Sequence, residues 1–145
     1  MQNVALEKIR KSRSVYISAV QAANVLGFAY IKLIEKLRDG KDVGFVYEYE
    51  SDKKCYIPRE EFIISVENWK WTSENIKMLS ANFLTIEQAA NAIGCAERTL
   101  RSAIKKGKPL GFEYFQMNGI YRIHKKSFLN FIEGGANKND GKRIL

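Results

Sequence analysis

Residues 83–114, FLTIEQAANAIGCAERTLRSAIKKGKPLGFEY, align without a gap on residues 16–47, YISAVQAANVLGFAYIKLIEKLRDGKDVGFVY. The offset is 67 residues, and 12 of the 32 paired positions are identical. One deletion then sets Tyr56-Ile57-Pro58 beside Arg122-Ile123-His124, and Phe62 beside Phe128. A duplication of this kind fixes element types and domain boundaries together, because both copies must fold by the same physics.

Within the later copy, Thr85-x-x-Gln88 has the spacing of a capping box, and Ser18-x-x-Gln21 repeats it in the earlier one. Small and apolar residues follow at helical spacing: Ala89, Ala90 and Ile93, or Ala22, Ala23 and Leu26. Gly94 or Gly27 then supplies a left-handed stop. A second helix is predicted from about Glu97 to Lys105, or Tyr30 to Arg38, with Leu100, Ala103 and Ile104, or Leu33 and Leu37, turned inward. Two short helices joined through a glycine, with alanines where they cross, read as a helix-turn-helix.

A β-hairpin is expected next. Leu110 to Phe115 and Ile120 to Ile123 flank Asn118-Gly119, the strongest two-residue hairpin signal. In the earlier copy Val43 to Tyr49 and Cys55 to Ile57 flank Glu50-Ser51-Asp52-Lys53-Lys54. A closing helix begins near Pro58 or Lys125, with Phe62, Ile63 and Val66, or Phe128, Leu129 and Ile132, inward. The fold class expected is α+β, mostly helical, as a tandem repeat of two winged helix-turn-helix domains. The expected organisation is a basic N-terminal extension (1–14), copy 1 (15–69), a linker (70–82), copy 2 (83–133) and a flexible tail (134–145). Ser73 to Ser80 reads as a short connecting helix, and linker packing is favoured over base stacking for Trp69 and Trp71.

The pattern of a capped T-x-x-Q-A-A helix, a glycine turn, a basic helix, Gly-Lys, a strand, Arg122-Ile123 and a closing helix resembles the excisionase-type, MerR-like winged-helix DNA-binding family. The resemblance covers Phe83–Glu133 well and Tyr16–Trp69 less fully. It implies that the second helix enters the major groove while the hairpin touches the backbone or minor groove. Carried onto this sequence, the groove-facing candidates are Glu97, Arg98, Thr99, Arg101, Ser102 and Lys105, and the hairpin candidates are Gln116, Asn118 and Arg122. Lys105, Lys106, Lys125 and Lys126 suit phosphate.

Copy 1 departs from this pattern. Ile31 and Ile34 stand where copy 2 has Arg98 and Arg101, and Tyr56 stands for Arg122. Its weaker DNA candidates are Tyr30, Lys32, Arg38, Lys53 and Lys54. Ile31 and Ile34 read instead as protein-contact candidates, with core burial and contact to thymine methyls left open. Charge follows the same division. The chain carries +8, but residues 15–69 have a net −2 and residues 82–133 a net +4. Such a balance favours a polyanionic partner for copy 2. Lys8, Arg10, Lys11 and Arg13 form either a frayed terminus or a DNA-reaching arm.

Cys55 and Cys95 occupy non-equivalent positions and form neither a disulfide framework nor a zinc spacing, so buried free thiols are expected. His124 is the only histidine. No Gly-rich phosphate loop, nucleophile motif or acid–base cluster appears, so the expectation is a non-enzyme with no cofactor and no metal. The N-terminus lacks the apolar core of a secretory signal and no apolar run could span a bilayer, so a cytoplasmic or nucleoid location is expected. The functional expectation is a sequence-specific double-stranded DNA-binding protein. It would serve a phage, plasmid or integrative element in excision or conjugative transfer, or act as a small transcriptional regulator. Its partners would be DNA and a recombinase, a relaxase or a second copy of itself. A protein-interaction module on the same scaffold is the alternative, and RNA or single strands are a third. If both copies read DNA they would span about one helical turn, roughly 34 Å.

Overall fold

A computed structural model describes residues 3–134. They divide into two compact units, one holding the chain up to Trp69 together with Met78–Ser80, the other Lys70–Lys77 and the chain from Ala81 onward. Among the described residues there are eight helices and two three-stranded antiparallel sheets, so the chain is α+β. The expectation for the tail concerns residues that, beyond Gly134, lie outside the described ones.

The first unit runs α1 (Val4–Lys11), β1 (Tyr16–Ile17), α2 (Ala19–Leu26), α3 (Tyr30–Arg38), β2 (Glu48–Ser51), β3 (Lys54–Pro58) and α4 (Arg59–Glu67). The second repeats this order as α5 (Ser73–Lys77), β4 (Phe83–Leu84), α6 (Ile86–Ile93), α7 (Glu97–Lys105), β5 (Tyr114–Met117), β6 (Ile120–His124) and α8 (Lys125–Glu133). The sheet orders are β1-β3-β2 and β4-β6-β5.

Both capping boxes form. Ser18 Oγ accepts from the Gln21 N–H at 3.1 Å while Gln21 Oε1 accepts from the Ser18 N–H at 2.8 Å. Thr85 and Gln88 exchange the same two bonds, each at 3.0 Å. Gly27 and Gly94 close α2 and α6 in the left-handed region. Asn118 and Gly119 both have positive φ, 51° and 78°, which matches the right-handed twist of a two-residue hairpin. The predicted inward residues of α3 and α7 are buried: Leu33 and Leu37, and Leu100, Ala103 and Ile104. Phe62 and Phe128 on the closing helices are fully buried, and each meets a second ring edge-on at 5.1 Å, Phe45 or Phe112.

Four expectations change. The first hairpin strands begin later than the aromatic runs predict, at Glu48 and Tyr114, because Gly44 and Gly111 turn the chain at φ 90° and 86°. A ring packs against each turn where a Cβ would stand, Trp69 at 2.9 Å and Phe131 at 2.9 Å. Trp69 also lies 6.0 Å from Phe28, so it is packed inside its unit. Second, the extension expected at 1–14 holds the helix α1, Val4–Lys11. Asn3 caps α1 and Ile9 is buried as α1 packs on α2 and α4. Third, the segment read as a linker supplies the equivalent helix α5, which packs on α8 and buries Ile76. Fourth, β1 and β4 add an unforeseen strand to each hairpin, pairing Ile17 with Ile57 and Leu84 with Ile123. No helix among the described residues is long and apolar enough to cross a membrane.

Candidate nucleic-acid interface

The outer face of α7 carries the predicted reading residues. Arg98, Arg101, Ser102 and Lys105 follow i, i+3, i+4, i+7 spacing, which puts them on one side of a helix opposite buried Leu100, Ala103 and Ile104. Arg98, Thr99, Arg101, Lys105 and Lys106 are exposed and Ser102 is half-buried. An Nη of Arg101 lies 3.2 Å from Glu97 Oε1, one turn earlier. Both partners are exposed, so the pair is worth at most about 1 kcal/mol and does not hold the guanidinium against a stronger acceptor. Ala96 at the N-cap offers no side-chain acceptor, and its carbonyl accepts from the Thr99 N–H at 3.0 Å.

The hairpin candidates separate. Gln116 is exposed on β5 and Asn118 forms the turn. Arg122 sits mid-strand on β6, half-buried, with its guanidinium 5.1 Å from the Phe83 ring centroid. It therefore covers the sheet and does not reach out from the turn. At the head of α8 the Lys125 N–H donates to Asn82 O at 3.0 Å, and its side chain is half-buried. The equivalent Arg59 N–H donates to Val15 O at 2.9 Å, and its guanidinium reaches Ser14 O at 2.7 Å. This position thus ties the closing helix to the segment before the first strand, a role that sequence spacing did not reveal. Lys126 is exposed.

The first unit lacks a comparable face. Ile31 projects with 69% of its surface exposed, whereas Ile34 keeps only 5%. Ile34 is thus core, which leaves Ile31 alone as an exposed contact candidate. Arg38 Nη2 lies 2.8 Å from Asp52 Oδ2 in the hairpin turn, and the Tyr49 hydroxyl donates to the same carboxylate. The Tyr30 hydroxyl adds a long bond to Asp52 O at 3.4 Å. These bonds, the Tyr49 donation first and Arg38 second, hold the Asp52 carboxyl below its usual range. Two of the weaker DNA candidates, Tyr30 and Arg38, are therefore engaged with the unit's own hairpin, while Lys32, Lys53 and Lys54 remain on the surface.

Cys55 and Cys95 are free and half-buried, not fully enclosed as expected, and burial pushes both thiols up. Among the described residues no three His, Cys, Asp or Glu side chains gather as a metal ion would need. No family model, curated protein or solved structure matches the chain.

Proposed function

We propose that the chain is a sequence-specific double-stranded DNA-binding protein in which each unit is a winged helix-turn-helix and the second is the reader. One observation carries this reading: the exposed Arg98–Arg101–Lys105 row on α7, a helix whose opposite side is buried. Arginine grips guanine O6 and N7 bidentately, so two arginines one turn apart supply base discrimination of about 1–3 kcal/mol each. Lys105 and Lys106 at the end of α7 act as phosphate contacts, and the Asn118-Gly119 turn reaches the backbone or minor groove. The setting that fits is an accessory factor of a phage, plasmid or integrative element, or a small transcriptional regulator.

Selection from random duplexes in the presence of competitor DNA tests the proposal. A defined motif should emerge, and Arg98→Ala and Arg101→Ala should each relax its preference at one base pair. Binding indifferent to both changes would move the reading surface elsewhere, and no duplex binding at low salt would remove the function. A second reading rests on Ile31, an exposed isoleucine at the position equivalent to Arg98. The first unit then serves protein contact and the second serves DNA.

A further inference from the structure

Strand register separates the two faces of each sheet. In the second unit Leu84 and Ile123 face the core, so their neighbours Phe83, Arg122 and His124 face outward, as does Phe115 opposite Arg122. Met117 and Ile120 extend that outer face to the turn, 54% and 46% exposed. The side chains pile on one another: Arg122 over Phe83, Phe115 at 5.0 Å from His124, and Phe83 edge-on to Phe115 at 6.4 Å. The result is a cationic, aromatic surface with an apolar rim.

The first unit presents the equivalent surface with different chemistry. Ile17 and Ile57 face inward, which turns Tyr16, Tyr56 and Pro58 outward with Glu48 opposite Tyr56. Glu50 sits in the bulge between Tyr49 and Ser51, and Lys54 lies near the turn. Tyr16 and Tyr56 meet edge-on at 5.6 Å and both are exposed. Glu50 first, then burial, and then Glu48 push the Tyr56 phenol up. At equivalent positions Tyr56 is replaced by Arg122, Glu48 by Phe115 and Lys54 by Ile120. The charge of the face is thus reversed between the units while its aromatic content is kept.

We infer that these two faces are made for each other in different molecules: the acidic tyrosine face of one copy's first unit docks on the Arg122 face of another copy's second unit. Complementary charge selects this pairing. Like faces would bring Glu48 against Glu48 or Arg122 against Arg122, a juxtaposition that costs free energy. Aromatic rings and arginine are the side chains that carry interface energy. Because the two surfaces differ, the contact is heterologous, and an open assembly keeps one unused face of each kind, one at either end.

Sedimentation velocity of the full chain without DNA tests this. The wild type should self-associate with rising concentration, and added salt should weaken it. Glu48→Lys and Arg122→Glu should each weaken it by about tenfold or more. Tyr16→Lys and Ile120→Glu, both surface changes, repeat the test should either of the first pair melt early. The decisive arm mixes the two defective proteins. The intact second unit of Glu48→Lys meets the intact first unit of Arg122→Glu, so association should return on mixing. A wild type that remains monomeric into the millimolar range overturns the inference, as does a mixture that stays apart. Capture of a single-stranded oligonucleotide by this face, lost in Arg122→Glu without any self-association, overturns it in favour of nucleic acid.

Discussion

Lys77 Nζ lies 2.8 Å from Glu133 Oε2, and Arg10 Nη2 makes the equivalent pair with Glu67 Oε2 at 3.1 Å. Each cation also faces a glutamate one turn earlier in its own helix, Glu74 at 3.7 Å and Glu7 at 3.6 Å. The two triads join the first helix of each unit to its last, and Ile9 and Ile76 sit buried beside them in the sequence, 67 residues apart. The duplicated element therefore starts at the opening helix of each unit, earlier than the plain identities indicate.

The energetics of that helix lie in the isoleucine more than in the ions. Lys77, Glu74 and Glu133 are all exposed, so a double-mutant cycle on Lys77 and Glu133 should give a coupling of only about 0.2–1 kcal/mol. Ile76 is fully buried, and Ile76→Ala should cost about 2–5 kcal/mol in urea unfolding. Equal costs for the two changes would mean that α5 is held by charge and not by packing.

The two helices α3 and α7 predict an asymmetric response to arginine. Ile31→Arg installs the residue that the second unit has at the same place, on a side chain already 69% exposed, and stability should shift by no more than about 0.5 kcal/mol. Ile34→Arg forces a cation into a buried position and should lower the melting temperature steeply, because an unpaired buried charge is among the most costly changes. Circular dichroism melts of the two variants suffice, and similar melts would refute the assignment of Ile34 to the core.

These residues also show what was legible in the sequence. Elements announced by local chemistry were readable from it: Thr85 with Gln88, Gly94 and the Asn118-Gly119 turn each act within four residues of chain. The strands β1 and β4 were not, since two residues cannot display an alternation. The match of α5 to α1 was hidden because packing needs only one buried isoleucine and the ions need only their signs. Whether Ile34 is core or contact surface stayed open in the sequence, because its counterpart Arg101 is exposed and equivalence of position carries no guarantee of equivalent exposure. The outward row of Arg98, Arg101 and Lys105 was legible from periodicity, whereas a reading role for it came only from the family resemblance. That Arg122 lies over Phe83 depends on strand register, which one sequence does not give.

If the α7 row meets DNA as proposed, salt separates its members. Replacing Lys105 or Lys106 by alanine should weaken binding evenly across sequences and reduce the slope of log affinity against log salt by about 1. Arg98→Ala should instead relax the preference at one base pair while costing about 1–3 kcal/mol on the selected site. A Lys106→Ala protein with an unchanged salt slope would exclude that lysine from phosphate contact.

Acid should loosen the first hairpin before the second. The folded Asp52 carboxyl titrates below its unfolded value because Tyr49 and Arg38 bond to the ionised form. Stability from a depressed carboxyl is present in full above the ordinary aspartate value, about 4, and is lost as pH falls through the lower folded value. Carboxyl titration by NMR should place Asp52 below the ordinary range, and in Asp52→Asn the chemical shifts of Arg38 and Tyr49 should lose their pH dependence in that window. An Asp52 that titrates at the ordinary value would mean that the turn is not held to α3 by this carboxylate.

Gly111 and Gly107 both have positive φ, 86° and 69°, yet a Cβ on Gly107 meets nothing within 4 Å while one on Gly111 falls 2.9 Å from two carbons of the Phe131 ring. Alanine at either position must adopt a left-handed backbone at about 1–2 kcal/mol. Gly111→Ala must in addition displace a ring that packs on Phe112 and Phe128 at 5.1 and 6.1 Å. Its cost should exceed that of Gly107→Ala by about 1–3 kcal/mol, the range for overpacking a filled core. The excess should shrink when Gly111→Ala is combined with Phe131→Leu, since the smaller side chain vacates the space. Equal losses for the two glycines, with no relief from Phe131→Leu, would show that the backbone conformation alone, and not the ring, demands glycine at 111.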